Sequence, residues 1–123
     1  METFYLNNGF GVAFRSGDVP EPLRIKIKDR MTNAPPANIS DVESVKFVLK
    51  REDYSLQTDS VQVLSGDASY DVDEGILEYI WTSEVTGTLS KGSYFGYFRI
   101  TWGESAEFSR SFPVDQDIPV NIK

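Results

Sequence analysis

Four carboxylates between positions 67 and 74 come closer than other residues of this chain to a recognisable chemical site. They are Asp67, Asp71, Asp73 and Glu74. Asp71 and Asp73 have the spacing with which a calcium loop begins, but the glycine and the distal glutamate of that loop are missing. We therefore expect no metal site here; Asp67, Asp71 and Asp73 are the candidate ligands if calcium binds, and a solvated hairpin loop explains the same cluster equally well.

Carboxylate pairs could also perform acid–base chemistry on a glycosidic bond. With nineteen acidic residues, some pair at a suitable separation is expected on the surface without any function. The chain has no histidine and no cysteine, which excludes Ser–His and Cys–His couples, thiolate nucleophiles and zinc sites built on these residues. We therefore expect no enzyme activity, no catalytic residues, no cofactor and no small-molecule substrate.

The net charge of −7 limits the classes of partner. An acidic chain is repelled by nucleic acid and by anionic lipid unless its basic residues gather on one face. The local concentration of basic residues is at positions 24–30, where they alternate along a predicted strand and lie beside Asp29. No apolar run reaches the roughly 20 residues that span a bilayer, and residues 1–6 lack the features of a secretory signal. We expect synthesis in a cytoplasm and neither nucleic acid nor a membrane as partner.

Alternation of apolar and polar residues with a period of two organises the chain and predicts strands. It is clearest at Leu23, Ile25 and Ile27, which alternate with basic residues. Further runs cover residues 10–14, 45–50, 61–63, 77–81, 94–102, 108–112 and 118–122. Turn-forming residues at 16–22, 33–36 and 65–67 separate the runs, and a helix is expected only as one turn near 39–43 or 83–85. At 123 residues we predict a single all-β domain, an immunoglobulin-like β-sandwich of about seven strands.

Aromatic residues of the later strands divide into two sets by parity. The set expected in the core is Tyr79, Trp81, Tyr94, Phe98 and Trp102. Ile80, Phe95 and Tyr97 then face outward. Because several apolar residues at neighbouring outer positions indicate a contact surface, we predict that these three bind another subunit. The alternatives are that a sugar stacks on Tyr97 or Phe95, that a loop or the amino-terminal segment covers the three residues, or that the parity is reversed.

The order of these signals resembles a known family. Its elements are Gly17-Asp18, the prolines before Leu23–Asp29, Pro35-Pro36, Val45–Leu49, Gly75–Trp81, Gly92–Ile100, Phe112-Pro113 and an apolar last strand. Over residues 17–123 the chain resembles the immunoglobulin-like domain at the amino end of tailed-phage upper-baseplate proteins and of related small virion proteins. The resemblance implies a structural, adaptor-like place in a phage particle. Family members usually continue into receptor-binding parts, which this sequence does not include.

The amino-terminal segment, residues 1–14, precedes the part that resembles this family and is rich in Phe and Tyr. It is either an arm that adds a strand to a neighbouring subunit or the first strand of a domain that otherwise covers residues 15–123. In the first case Phe4, Tyr5, Leu6 and Phe10 contact the neighbour.

Two functions remain for a domain of this kind. The first is a structural virion protein of a tailed bacteriophage, an adaptor in the tail, baseplate or neck, whose partners are other phage structural proteins around a symmetric assembly. The second is a carbohydrate-binding or adhesion module that uses exposed aromatic residues. A large assembly accounts for apolar outer positions without ligand chemistry, whereas an adhesin needs a groove with a polar rim.

Overall fold

The computed structural model describes residues 2–5, 11–29, 31–32, 42–53, 58–103, 105, 108–113 and 117–123, with the backbone alone for 2–5, 52–53 and 58–62. These residues form ten strands and one short helix, α1 (Ser83–Thr86). The strands are β1 (Glu2–Tyr5), β2 (Val12–Phe14), β3 (Leu23–Lys28), β4 (Val42–Asp53), β5 (Thr58–Asp67), β6 (Ser69–Asp71), β7 (Ile76–Tyr79), β8 (Gly92–Trp102), β9 (Phe108–Phe112) and β10 (Ile118–Ile122). The all-β prediction is confirmed.

The strands form two sheets. The smaller sheet has the order β1-β3-β7-β6 and is antiparallel throughout. The larger sheet has the order β2-β10-β8-β4-β5. Strand β9 also pairs with β8, on the same edge of β8 as β10 but at different residues of it. Among the described strands, β2 and β10 are the one pair that runs in parallel. Both long strands, β4 and β8, therefore lie in the middle of the larger sheet.

One hydrophobic core joins the two sheets. Phe47 of the larger sheet stacks on Tyr79 of the smaller one with ring centroids 4.7 Å apart, and Trp81 meets both rings edge-on. Such pairs add roughly 0.5–1.5 kcal/mol each to the free energy gained from burial. The aromatic set predicted for the core is buried, as expected: Tyr79, Trp81, Tyr94, Phe98 and Trp102.

The alternating runs that became β2, β3, β8 and β10 each bury one side in this core. In β3 the buried Leu23, Ile25 and Ile27 alternate with side chains that reach solvent, as predicted. The predicted helical turn is α1, whose preceding Thr82 accepts a hydrogen bond from the Val85 amide at 3.3 Å. Of the alternative turn at 39–43, only positions 42 and 43 are described, and they belong to β4.

The expected turn at residues 65–67 was wrong. These residues end β5, and Gly66 pairs with Phe47. A Cβ at Gly66 would lie 2.8 Å from the Tyr79 ring, so this glycine makes room for an aromatic side chain rather than a turn. At Ala68 the chain instead passes to the smaller sheet and forms β6, a strand that the sequence did not predict.

Both described parts of the amino-terminal segment pair within the domain. Residues 2–5 form β1 and pair with β3, while residues 12–14 form β2 and pair with β10 of the other sheet. Val12 and Phe14 are buried in the core. The described residues of this segment therefore pair within the chain's own sheets, rather than forming an arm that is free to bind a neighbouring subunit.

Candidate interaction surface

The outer side of the larger sheet carries apolar side chains that do not belong to the core. Phe95 and Tyr97 lie half-buried on β8, and Val48, the β4 partner of Tyr97, is only 5% exposed although it lies outside the core cluster. Lys50 and Pro119 flank Phe95 from the strands on either side. The centre of this sheet therefore has an apolar surface on its solvent side.

Cations surround these apolar residues. The Lys50 ammonium lies 5.1 Å from the centre of the Tyr97 ring, a cation–π contact worth about 0.5–1 kcal/mol at an exposed site. Lys46 forms an ion pair with Asp67 of β5. Arg99 donates a long hydrogen bond of 3.5 Å to the Ser111 hydroxyl. We call this surface the aromatic–basic face; its residues are Lys46, Val48, Lys50, Phe95, Tyr97 and Arg99.

Ile80 was predicted to act together with Phe95 and Tyr97, but the structure separates it from them. It follows β7 of the smaller sheet and is 61% exposed. Its neighbours line a shallow groove of about 180 Å³ formed by Asp67, Ala68, Ser69 and Glu78. Ile80 therefore does face outward as predicted, but it follows a strand of the smaller sheet, whereas the aromatic–basic face lies on the larger one; Asp67 borders both.

The other predicted contact residues lie in the amino-terminal segment. Phe4 and Tyr5 belong to β1, where their Cα partners are Lys26 and Ile25 of β3. Leu6 and Phe10 lie outside the described residues. The strand pairing of β1 occupies one edge of β3, so the described part of this segment is already bound to its own domain.

The candidate calcium ligands are not brought together. The Asp71 carboxylate accepts hydrogen bonds from the amides of Asp73 and Glu74 at 3.0 and 3.2 Å and so fixes its own turn. Asp67 instead lies on the larger sheet in its ion pair with Lys46. Within the described part of the chain, no three acidic side chains are arranged to hold a metal ion.

A second shallow groove of about 330 Å³ crosses the outer side of the smaller sheet. It is lined by Arg24, Ser69, Asp71, Ile76 and Glu78, and Arg24 donates to Glu78 at 2.5 Å across the sheet. The lining contains no aromatic ring, and all of its side chains except Ile76 are polar or charged. The groove therefore offers mainly polar contacts.

Burial alters the pKa of two tyrosines. Burial raises the pKa of Tyr79. The pKa of Tyr70 is raised mainly by burial and in addition by the negative charge of nearby Asp71. Both hydroxyls therefore stay protonated well above neutral pH and cannot serve as general bases there. This behaviour is that of packed side chains.

Sequence reasoning missed one exposed feature, the turn at residues 71–74 between β6 and β7. Its acidic side chains are exposed together with Val72, which is 54% exposed. The acidic residues were noticed as possible ligands, but the apolar tip between them was not. The sequence Asp71-Val72-Asp73-Glu74 before Gly75 was the available signal.

No helix in the described residues is long and apolar enough to cross a membrane. Comparisons of the chain with protein-family models, with curated proteins and with solved structures found no match.

Proposed function

We propose that this chain is a structural subunit of a tailed-phage particle, an immunoglobulin-like adaptor in the tail, baseplate or neck. The observation that carries the proposal is the aromatic–basic face, an apolar surface on the solvent side of a sheet whose core is complete without it. Apolar rings at the centre of a contact, with cations around them, are the composition that stable protein interfaces favour.

The order of the strands supports the immunoglobulin-like part of the proposal. The smaller sheet corresponds to the strand order A-B-E-D, and β10-β8-β4-β5 corresponds to G-F-C-C′ of that fold. The first strand is divided between the sheets, with β1 on one and β2 on the other. Phe95 and Tyr97 lie on the outer side of β8, at the position of strand F in that order.

A carbohydrate-binding module is less well supported. Sugars stack on exposed aromatic faces, yet the Tyr97 ring already carries the Lys50 ammonium and is half-buried. The two described grooves have no aromatic residue among their lining side chains. Neither of these two grooves therefore offers a stacking platform for a sugar.

The test is incorporation into particles. The particles to be purified are those of the phage whose genome encodes this chain. Quantitative mass spectrometry should find the chain in them in a fixed ratio to a major tail protein. In a complementation assay Tyr97→Asp should fold with a near-normal melting temperature but be lost from the particles, because a carboxylate is placed at the centre of the contact.

Ser90→Asp is the matched control, since Ser90 is exposed and precedes the same strand. It adds the same charge outside the face and should incorporate normally. Particles that lack the wild-type chain would refute the proposal, and normal incorporation of Tyr97→Asp would show that another surface makes the contact.

A further inference from the structure

The aromatic–basic face has the opposite charge to the rest of the chain. Between Lys46 and Lys50 on β4, and at the positions of β5 and β8 that pair with these residues, the charged side chains are Lys46, Lys50, Arg99 and Asp67. Three cations and one carboxylate give this part of the face a net charge of +2. The whole chain has −7, so everything else carries −9.

Two of these cations are available to a partner. Lys46 is neutralised by Asp67, but neither Lys50 nor Arg99 takes part in the ion pairs that the structure describes. Among the described residues, Lys50 makes a cation–π contact with the Tyr97 ring, and Arg99 donates a hydrogen bond to the neutral Ser111 hydroxyl. The partner that fits this face therefore brings carboxylates together with a small apolar group.

The turn at residues 71–74, which we call the acidic turn, has this composition. Three exposed carboxylates surround Val72, whose side chain is 54% exposed. The turn is closed by the hydrogen bond of 2.7 Å from the Gly75 amide to the Asp71 carbonyl, and Gly75 has a φ of 71°, which favours glycine. Because the turn is already ordered, binding through it has a small entropic cost.

The face lies on the larger sheet and the turn joins two strands of the smaller one, and no ion pair of the described residues joins the face to the turn. We propose that the acidic turn of one copy docks on the aromatic–basic face of a second copy. Asp73 and Glu74 then lie against Lys50 and Arg99, and Val72 lies against the half-buried rings. The proposal rests on the proposed function, because it names the partner of the same surface as another copy of the chain.

A contact between two different surfaces of the same chain is head-to-tail. Such contacts continue from copy to copy and give a ring where the rotation closes and a filament where it does not. Single-stranded nucleic acid is the competing polyanion for a basic, aromatic surface. It is disfavoured because bases stack on free ring faces, whereas Lys50 covers the Tyr97 ring.

Charge reversal tests the proposal. Sedimentation velocity of the purified chain should show self-association that weakens at least tenfold at about 1 M salt, where the Debye length is about 3 Å. A face variant, Lys50→Glu with Arg99→Glu, and a turn variant, Asp73→Lys with Glu74→Lys, should each lose at least tenfold in association. An equal mixture of the two should associate again, because each face then meets a turn of opposite charge.

Matched controls carry the same charge changes elsewhere. Lys91→Glu with Lys123→Glu controls the face variant, and Glu21→Lys with Glu84→Lys controls the turn variant; all four residues are exposed. Both controls should associate like the wild type. Circular dichroism of every variant should show the wild-type fold.

Three results would overturn the inference: a wild-type chain that stays monomeric, two variants that do not associate when mixed, or binding of a single-stranded oligonucleotide by a chain that does not self-associate. A chain that is found in particles but does not self-associate would overturn this inference alone. A chain absent from particles would overturn the proposed function, whatever its self-association.

Discussion

At the scale of single residues, two glycines allow aromatic rings to fill the core. A Cβ at Gly66 would lie 2.8 Å from the Tyr79 ring, and one at Gly96 would lie 2.7 Å from the Phe47 ring. Both rings are buried and stacked on one another, so neither can move without disturbing the other. We expect Gly66→Ala and Gly96→Ala each to lower the free energy of unfolding by about 1–3 kcal/mol through overpacking.

Urea denaturation measures this change, and Ser65→Ala is the matched control. Ser65 is the exposed neighbour of Gly66 on β5, and its substitution should change the free energy of unfolding by less than about 0.5 kcal/mol. Equal stability of all three variants and the wild type would mean that the rings have space to relax.

Tyrosine burial predicts a loss of stability at alkaline pH. The pKa values of Tyr70 and Tyr79 are raised above 10.0 in the folded chain, so the folded state holds their protons more tightly than the unfolded state. The contribution of these two protons to the free energy of unfolding is fully present below pH 10.0, and it is lost as the pH rises through the folded pKa values.

Urea denaturation between about pH 8 and pH 11 should therefore show a falling free energy of unfolding. Tyr79→Phe and Tyr70→Phe should each make that fall shallower. Tyr70→Phe should cost little at neutral pH, because the Tyr70 hydroxyl is buried without a hydrogen-bond partner among the described residues. An unchanged slope in both variants would contradict this explanation.

At the scale of elements, the strands that could be predicted from the sequence are those in which apolar and polar side chains alternate. Leu23–Lys28 was recognised because one of its sides is apolar throughout. By contrast, β6 has only Tyr70 as an apolar residue, so its conformation depends on pairing with β7, which local alternation does not contain. The outward orientation of Phe95 and Tyr97 could be predicted too, because it follows from the alternation along their own strand. The position of Lys50 over Tyr97 could not, because it depends on the register between β4 and β8.

Strand β1 gives a prediction at this scale. Its four residues pair with β3, and their removal would leave one edge of β3 unpaired. With a net contribution of about 0.5–1.5 kcal/mol for each hydrogen bond, deletion of residues 1–5 should lower the free energy of unfolding by roughly 2–4 kcal/mol. It should also increase aggregation, because an open edge can pair with another chain.

Denaturation and light scattering together check this prediction. Glu2→Ala is the control, since it keeps the backbone of β1 and should leave stability near that of the wild type. A deletion variant with wild-type stability would show that β1 adds nothing to the domain and is free to pair with a neighbour.

At the scale of the whole molecule, the two sheets should unfold as one unit. The core cluster includes residues from both sheets, and the two tryptophans report on different parts of it. Trp81 lies between the sheets against Phe14, Phe47 and Tyr79, whereas Trp102 lies at the end of β8 and stacks on Phe108 of β9 with centroids 5.7 Å apart. Because these sites share one core, local loss of either should require the loss of both.

Single-tryptophan variants separate the two reports. Trp102→Phe leaves Trp81 as the probe of the centre, and Trp81→Phe leaves Trp102 as the probe of the end of the sheet. Removal of the more central ring should lower the free energy of unfolding more, since Trp81 is almost fully buried and contacts three other rings.

Within each variant, however, the fluorescence midpoint in urea should coincide with the midpoint from far-ultraviolet circular dichroism, as a two-state transition requires. If the Trp102 signal changed at lower urea than the circular dichroism, the end formed by β8 and β9 would open on its own. The aromatic–basic face, which lies on β8, would then be held by a smaller cooperative unit than the whole domain.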